Sequence, residues 1–346
     1  MSKKSKTIRV KLIANPGAGI AAEAADNLKL VAGYLKMNGL KADVVRAKPK
    51  TKATPLARQA VKDGYKIVIV MGGDGTVEAV MRGMIGSKAR LGIVPAGMEN
   101  NIAKSLGIPA NLKVACALIA SGNTCRLDVG QVKTGKGKWL SFFEMAGVGL
   151  SSDLVPDGTR AVGGESSAPL DATPAAIQEE TKPKVFLNLD DERIIKVESM
   201  LVMVTNTAVF GKKFLLTPNA SLKDGFLDIS VFQGFGKDDL RGYYASMMAG
   251  GYSGNGKVRR YQARKLKVKS SPKMKAIADG IELGKGMVTI KMRLGALRVI
   301  ANSKNPGLES LPKDEAIPVP AEQSLDQQTT PDVMENPDLP VSPIEK

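Results

Sequence analysis

The sequence has no histidine among its 346 residues. That absence removes Ser-His-Asp and Cys-His catalytic arrangements, His-ligated metal sites and any imidazole proton shuttle. Acid and base work is left to carboxylates, Lys, Tyr or Cys. Cysteine occurs only at Cys116 and Cys125, too few for a disulfide scaffold and short of the four ligands of a structural zinc. Aromatic residues make up 4% of the chain, with a single Trp, so the stacking series of a nucleic-acid binder is missing. No apolar run approaches the roughly 18 residues of a membrane span; the best are 67–71 and 200–204. Arg9, Lys11 and Asn15-Pro16-Gly17 interrupt any signal-peptide core after the lysine-rich start. The chain reads as cytoplasmic, with any membrane association peripheral.

What is abundant is positive charge. Lys and Arg number 50 against 34 acids, a net +16. From residue 304 onward three lysines face nine acids, so the tail is −6 and the body +22. Such a body attracts nucleic acid, anionic membranes or phosphorylated small molecules, and charge alone does not choose among them.

The first 130 residues alternate strand and helix signals. A strand over 8–13 ends at Asn15-Pro16-Gly17-Ala18-Gly19, and a helix follows to Met37 with its stop at Gly39. Residues 42–45 suit a second strand. Thr54-Pro55 reads as an N-cap followed by proline at the first helical position, with Gly64 as the stop. Residues 67–71 form an unbroken apolar strand of the kind buried on both faces. Helices over 77–85, 101–106 and 112–120 and a strand over 91–94 complete a βαβ array with a parallel sheet, whose ligands bind beyond the carboxyl ends of its strands.

Beyond Asp128 short alternating runs separated by glycine and Asn/Asp turns predict an antiparallel sandwich or barrel. The pattern divides the chain into 1–130, the antiparallel part from 131, and a disordered acidic, proline-rich tail over 304–346. Residues 156–183 read as a long loop or lid.

Gly72-Gly73-Asp74-Gly75-Thr76 follows the buried strand and opens a helix. Glycines there let backbone N–H groups close on phosphate at the positive end of a helix dipole, and Asp74 can orient a magnesium ion or its waters; a structural turn is the plainer alternative. Two G-x-x-x-x-G-K skeletons, Gly130 to Lys136 and Gly251 to Lys257, lack the following Ser or Thr and are chance matches. Between Lys257 and Lys275 lie nine basic residues and no acid. Lys257, Arg259, Arg260, Arg264, Lys265, Lys267 and Lys269 form either a solvated face or a surface for anionic headgroups.

The Asn15 and Gly72 motifs combine with Pro95-Ala96-Gly97-Met98-Glu99-Asn100-Asn101 and, later, Asp128-Val129-Gly130, Asp224-Gly225 and Asp279-Gly280. Together, over residues 7 to 301, they resemble the diacylglycerol kinase and sphingosine kinase superfamily. The Gly72 motif alone would also fit an NAD kinase or a phosphofructokinase. The resemblance implies a Rossmann-like α/β nucleotide domain over 1–130 to which a last strand at about 288–303 returns, an antiparallel β-sandwich domain over 131–287, a site between them, ATP and Mg2+. Its partners would be a lipid substrate, an anionic membrane surface and a possible homodimer, with no nucleic acid. It implies nucleotide contacts from Asn15, Pro16, Gly17, Gly19, Gly72, Gly73, Asp74, Gly75, Thr76, Gly97 and Asn100. Asp74 and Asp128 would belong to a magnesium network, and Asp279 would be the general base for a diacylglycerol-like or long-chain lipid hydroxyl. The chain departs from the family's acids at Ala79, Asn101 and Ile281 and from its threonine at Met98, which makes a catalytically weakened binding protein the alternative.

Overall fold

The computed structural model describes residues 7–15, 17, 21–149, 183–207, 209–210, 214–215, 217, 220–236, 238–239, 242–243 and 257–301. Pro16, Gly19, nearly all of the predicted loop 156–183 and the tail from 304 lie outside these.

The N-terminal half runs β1 (Ile8–Ala14), α1 (Ala21–Met37), β2 (Leu40–Arg46), α2 (Ala53–Lys62), β3 (Ile67–Gly72), α3 (Asp74–Met84), β4 (Arg90–Pro95), α4 (Asn101–Ser105) and α5 (Leu112–Ser121). The strands pair in parallel in the order β2-β1-β3-β4. The unbroken apolar sequence of β3 now has its reason. Val68 and Val70 pack toward α2 and α3, while Ile67, Ile69 and Met71 pack toward α1 and α5, and every residue of the strand is buried. Each such side chain contributes about 1.5–3 kcal/mol of burial.

Helix ends follow local chemistry. Asn111 caps α5, its carboxamide oxygen accepting the Lys113 and Val114 amides, and Gly122 closes the helix at φ 72°. At α2 the structure departs from the sequence reading. A 3-10 turn over Lys50–Lys52 precedes it, so Thr54 sits inside the first turn and caps nothing. Its hydroxyl instead donates to the Ala79 carbonyl at 2.7 Å, tying α2 to α3.

The second half is antiparallel: β5 (Thr124–Thr134), β6 (Leu140–Phe142), β7 (Met145–Val148), β8 (Lys184–Leu189), β9 (Arg193–Thr205), β10 (Val209–Phe210), β11 (Phe214–Leu215), β12 (Leu227–Gln233), β13 (Val258–Ala263), β14 (Lys265–Ser271), β15 (Lys275–Ala278), β16 (Ile281–Lys285) and β17 (Val288–Ile300). One layer is β6-β5-β17-β14-β8-β9 and the other is β13-β12-β9-β7-β15-β16. The 13-residue β9 bends to serve both, pairing with β8 early and with β7 and β12 late. Val185, Leu187, Leu266, Val268, Val288 and Ile290 meet Ala146, Val148, Val202, Val204, Ile229 and Val231 in the core between the layers.

The returning strand is β17. It pairs antiparallel with β14 and β5, then lies parallel to β4 at Arg298 and Val299. β5 and β17 run together across both halves, with a bulge between Arg293 and Leu297, so backbone pairing ties the sandwich to the parallel sheet.

Candidate active site

The loops after β3 and β4 meet at the carboxyl end of the parallel sheet. A Cβ on Gly97 would stand 2.4 Å from the Gly73 Cα, and one on Gly73 would stand 3.0 Å from the Gly97 Cα. These glycines are required first by the contact of two backbones. Gly72 is likewise confined, because a Cβ there would meet Thr76 Cβ at 2.8 Å. Thr76 Oγ1 accepts from Asn15 Nδ2 at 3.0 Å, and Asn15 Oδ1 accepts the Gly17 amide at 3.0 Å. The structure thus brings all three predicted loops together.

Asn100 sits at φ 55°, with Oδ1 accepting the Gly97 amide and Nδ2 donating to the Gly97 carbonyl. Its carboxamide is therefore spent on shaping the loop. Asp74 opens α3, and one of its oxygens accepts the Ile102 amide at 3.1 Å. That bond fastens α4 to α3 and leaves the second oxygen for a ligand. The Gly73 carbonyl accepts the Thr76 and Val77 amides, which leaves the Asp74 and Gly75 amides at the positive end of the α3 dipole.

Asp128, on β5, has both carboxylate oxygens engaged by backbone amides. Its two oxygens accept the Gly225 and Gly295 amides at 2.9 and 2.6 Å. The carboxylate staples the Asp224-Gly225 turn to the kink in β17.

Asp279 occupies the β15–β16 turn at φ 42°. Its side chain is 0% exposed. Oδ1 accepts the amides of Glu144 and Met145, each at 3.1 Å, while Oδ2 accepts the Phe143 amide at 2.8 Å and Arg82 at 3.1 Å. Both oxygens are thus doubly occupied. Burial raises the pKa of this group, and Arg82 and the three amides oppose the rise.

Sequence reasoning missed Arg82. From α3 it reaches Glu78 at 3.0 Å, Asp279 at 3.1 Å and the Ser141 carbonyl at 3.3 Å, and its guanidinium lies over the Phe143 ring. The legible signal was the Glu78/Arg82 spacing of four, one face of a helix. Glu144 was missed as well, although an acid inside the apolar run 142–148 was a visible anomaly. It is buried, hydrogen-bonds Asn101 and leaves Oε1 with no partner. Burial and then the charges of Glu78, Asp74 and Asp279 push its pKa well up; burial and then Asp279 do the same for Glu78. Where the family pattern has acids at 79, 101 and 281, this chain has Glu78 and Glu144 in the same neighbourhood.

Two family models match this chain. The diacylglycerol kinase catalytic domain covers residues 9–132, and the YegS C-terminal NAD kinase beta sandwich-like domain covers 172–301. The chain belongs to the diacylglycerol kinase family of lipid kinases. Relatives within the family include a diacylglycerol kinase of Mycobacterium tuberculosis, 28% identical over 278 residues, covering 79% of this chain and 88% of that one. A diacylglycerol kinase of Bacillus subtilis is 28% identical over 66% of this chain and 75% of its own length. The crystal structure of a diacylglycerol kinase from Bacillus anthracis matches 87% of this chain and 99% of its own, with a TM-score of 0.67 at 23% identity. That likeness bears out the two-part α/β and β-sandwich fold.

The residues fit the family's nucleotide. The glycine loops let backbone approach closely, and the α3 amides suit phosphate. Among the described residues no three acids are grouped as a metal cage. The free oxygen of Asp74 suits a magnesium ion carried largely by substrate phosphates, the usual magnesium arrangement.

Proposed function

We propose that the chain transfers the γ-phosphoryl group of ATP to the hydroxyl of a diacylglycerol-like or long-chain lipid. The observation that carries this reading is the pair of glycine loops locked together at the α3 N-terminus, with Arg82 of that helix reaching across to the Asp279 turn of the sandwich. The α3 amides would hold phosphate, and Asp74 would meet the magnesium ion, which neutralises charge on the phosphates. Phosphoryl transfer asks mainly for positioning and charge stabilisation, so a histidine-free site suffices.

The general base is proposed to be Asp279, on condition that Arg82 releases it. Three of its four donors are fixed backbone amides, and Arg82 is the one that can turn away. Arg82 swinging to the phosphates would free Oδ2 for the lipid hydroxyl. The oxygen of that hydroxyl then bonds to phosphorus, its proton goes to Asp279, and ADP leaves with the electrons of the broken bond.

The saturated carboxylate, with Ala79, Asn101 and Ile281, favours a second reading in which the chain binds lipid or nucleotide with little turnover. Labelled ATP and a mixed lipid extract separate the two. The kinase reading expects label in a lipid that Asp279→Asn abolishes. No label from the wild type, with ATP still bound, would establish the binding protein. Asp279→Asn also loses buried charge-assisted bonds, at a cost of about 3–5 kcal/mol. It is therefore assayed well below its own melting temperature.

A further inference from the structure

The lysine alternation of β14 extends far beyond β14. Cross-strand register carries it over the outward face of the layer β6-β5-β17-β14-β8-β9. Lys133 pairs with Thr289, which pairs with Lys267, then Asn188, then Ile194. In adjoining rows Gln131 pairs with Lys291, which pairs with Lys265, and Lys269 pairs with Phe186, which pairs with Lys196. Lys184 lies opposite Glu198 at the end. The intervening residues, including Val132, Val288, Leu266, Val268 and Leu187, all turn into the core, so these side chains share the other face.

Seven lysines therefore stand on one sheet face, at 133, 184, 196, 265, 267, 269 and 291. Among the described residues the acids beside them are Glu198, Asp191, which bridges Lys265 and Lys267, and Asp190, which accepts the Arg264 and Lys265 amides. The only tryptophan lies at the edge of this face, 39% exposed, with Lys133 and Lys291 ammonium groups 5.1 and 4.4 Å from its ring centroid. Ile194, 67% exposed, lies toward the opposite edge. The sequence-defined basic run is thereby divided. Lys265, Lys267 and Lys269 belong to this face, whereas Arg259 and Arg260 are on β13 in the other layer, Lys257 pairs with Asp239 and Arg264 stacks on Phe226.

We infer that this face docks the protein on an anionic membrane, with Trp139 and Ile194 at the headgroup boundary and the lysines over lipid phosphates. The inference rests on the lipid kinase reading and adds to it the surface through which the substrate is reached. The chemistry favours a membrane over other anionic partners. All seven cations are lysines, point charges suited to a diffuse plane of headgroups, with no arginine fork for bidentate phosphate recognition. One tryptophan offers interfacial anchoring and no stacking series. A second copy of the face would repel its like. The site is also near. From Trp139 the chain passes through Ser141, whose carbonyl accepts Arg82, to Phe143, whose amide holds Asp279. The four steps from residue 139 to residue 143 span about 13 Å when extended.

The test is cosedimentation of the full chain with phosphatidylcholine vesicles, with and without phosphatidylserine. Wild type is expected to bind only the anionic vesicles and to be released by high salt. Each lysine near the surface is worth about fivefold in partitioning, so Lys133→Gln, Lys269→Gln and Lys291→Gln together should reduce binding about a hundredfold. Trp139→Ala should weaken it separately. The control, Arg259→Gln with Lys275→Gln, removes charge from the other layer and should cost little. Binding by the triple variant equal to wild type, or an equal loss in the control, would overturn the inference. All proteins are also assayed with a short-chain diacylglycerol in detergent. Activity there that survives in the triple variant locates the defect at the membrane. Wild type inactive in detergent but bound to vesicles would count against the kinase reading and leave docking standing.

Discussion

At the scale of single residues, the glycines of the site answer to backbone contact before they answer to a ligand. Gly97→Ala pushes a methyl group into the Gly73 Cα. It is expected to cost about 1–3 kcal/mol by overpacking and to weaken nucleotide binding by parting the two loops. Thermal melting with and without ATP checks both effects, since a purely structural defect would leave the ATP-induced shift unchanged. Glu144 gives a pH prediction. Its folded-state pKa lies well above the ordinary 4.5. Between 4.5 and that raised value the folded chain holds a proton the unfolded chain has released, so stability falls as pH rises through the window. Glu144→Gln removes that slope, and urea denaturation should show the variant gaining on wild type from about pH 5 to pH 8. An equal difference at both values would refute this. The sequence disclosed the glycines by type and place, but it could not disclose the Asp279 cage, whose three amides come from residues more than 130 positions away.

At the scale of elements, α3 is the member that joins the two halves of the site. Its first turn faces the phosphate loops, and two turns later Arg82 lies between Glu78 and Asp279. Arg82→Met leaves two buried carboxylates without their cation and should destabilise by about 3–5 kcal/mol. Adding Glu78→Gln should restore part of that loss, and a strictly additive double variant would show that the two do not interact. Elements were legible wherever one stretch of chain decided them. The continuous apolar run made β3 recognisable, and Gly39, Gly64 and Gly122 marked helix ends. The α2 start was misread because Thr54 has a tertiary partner, the Ala79 carbonyl, which competes with capping. The Gly130 skeleton fell, as expected of a chance match, on the β5–β6 hairpin with no helix after it. The basic run was split because β13 and β14, adjacent in sequence, pair in different layers.

At the scale of the whole molecule, part of the charge excess gathers on one sheet face, and no helix among the described residues is long and apolar enough to cross a membrane. Backbone pairing through β5 and β17 holds the nucleotide loops, the Arg82 cluster and the lysine face in one frame. The central claim is that phosphoryl transfer to a lipid hydroxyl takes place at the Asp74 end of that frame. Asp74→Asn tests it most directly, because the carboxamide oxygen can still accept the Ile102 amide and the fold should hold, with a melting shift of no more than about 4 °C. The measurement is labelled phosphate transferred from ATP to lipid by wild type and Asp74→Asn at equal folded concentration. The account predicts a labelled lipid whose formation falls at least about a hundredfold in the variant. Equal labelling by both proteins, or none by a wild type that still binds ATP, would contradict it.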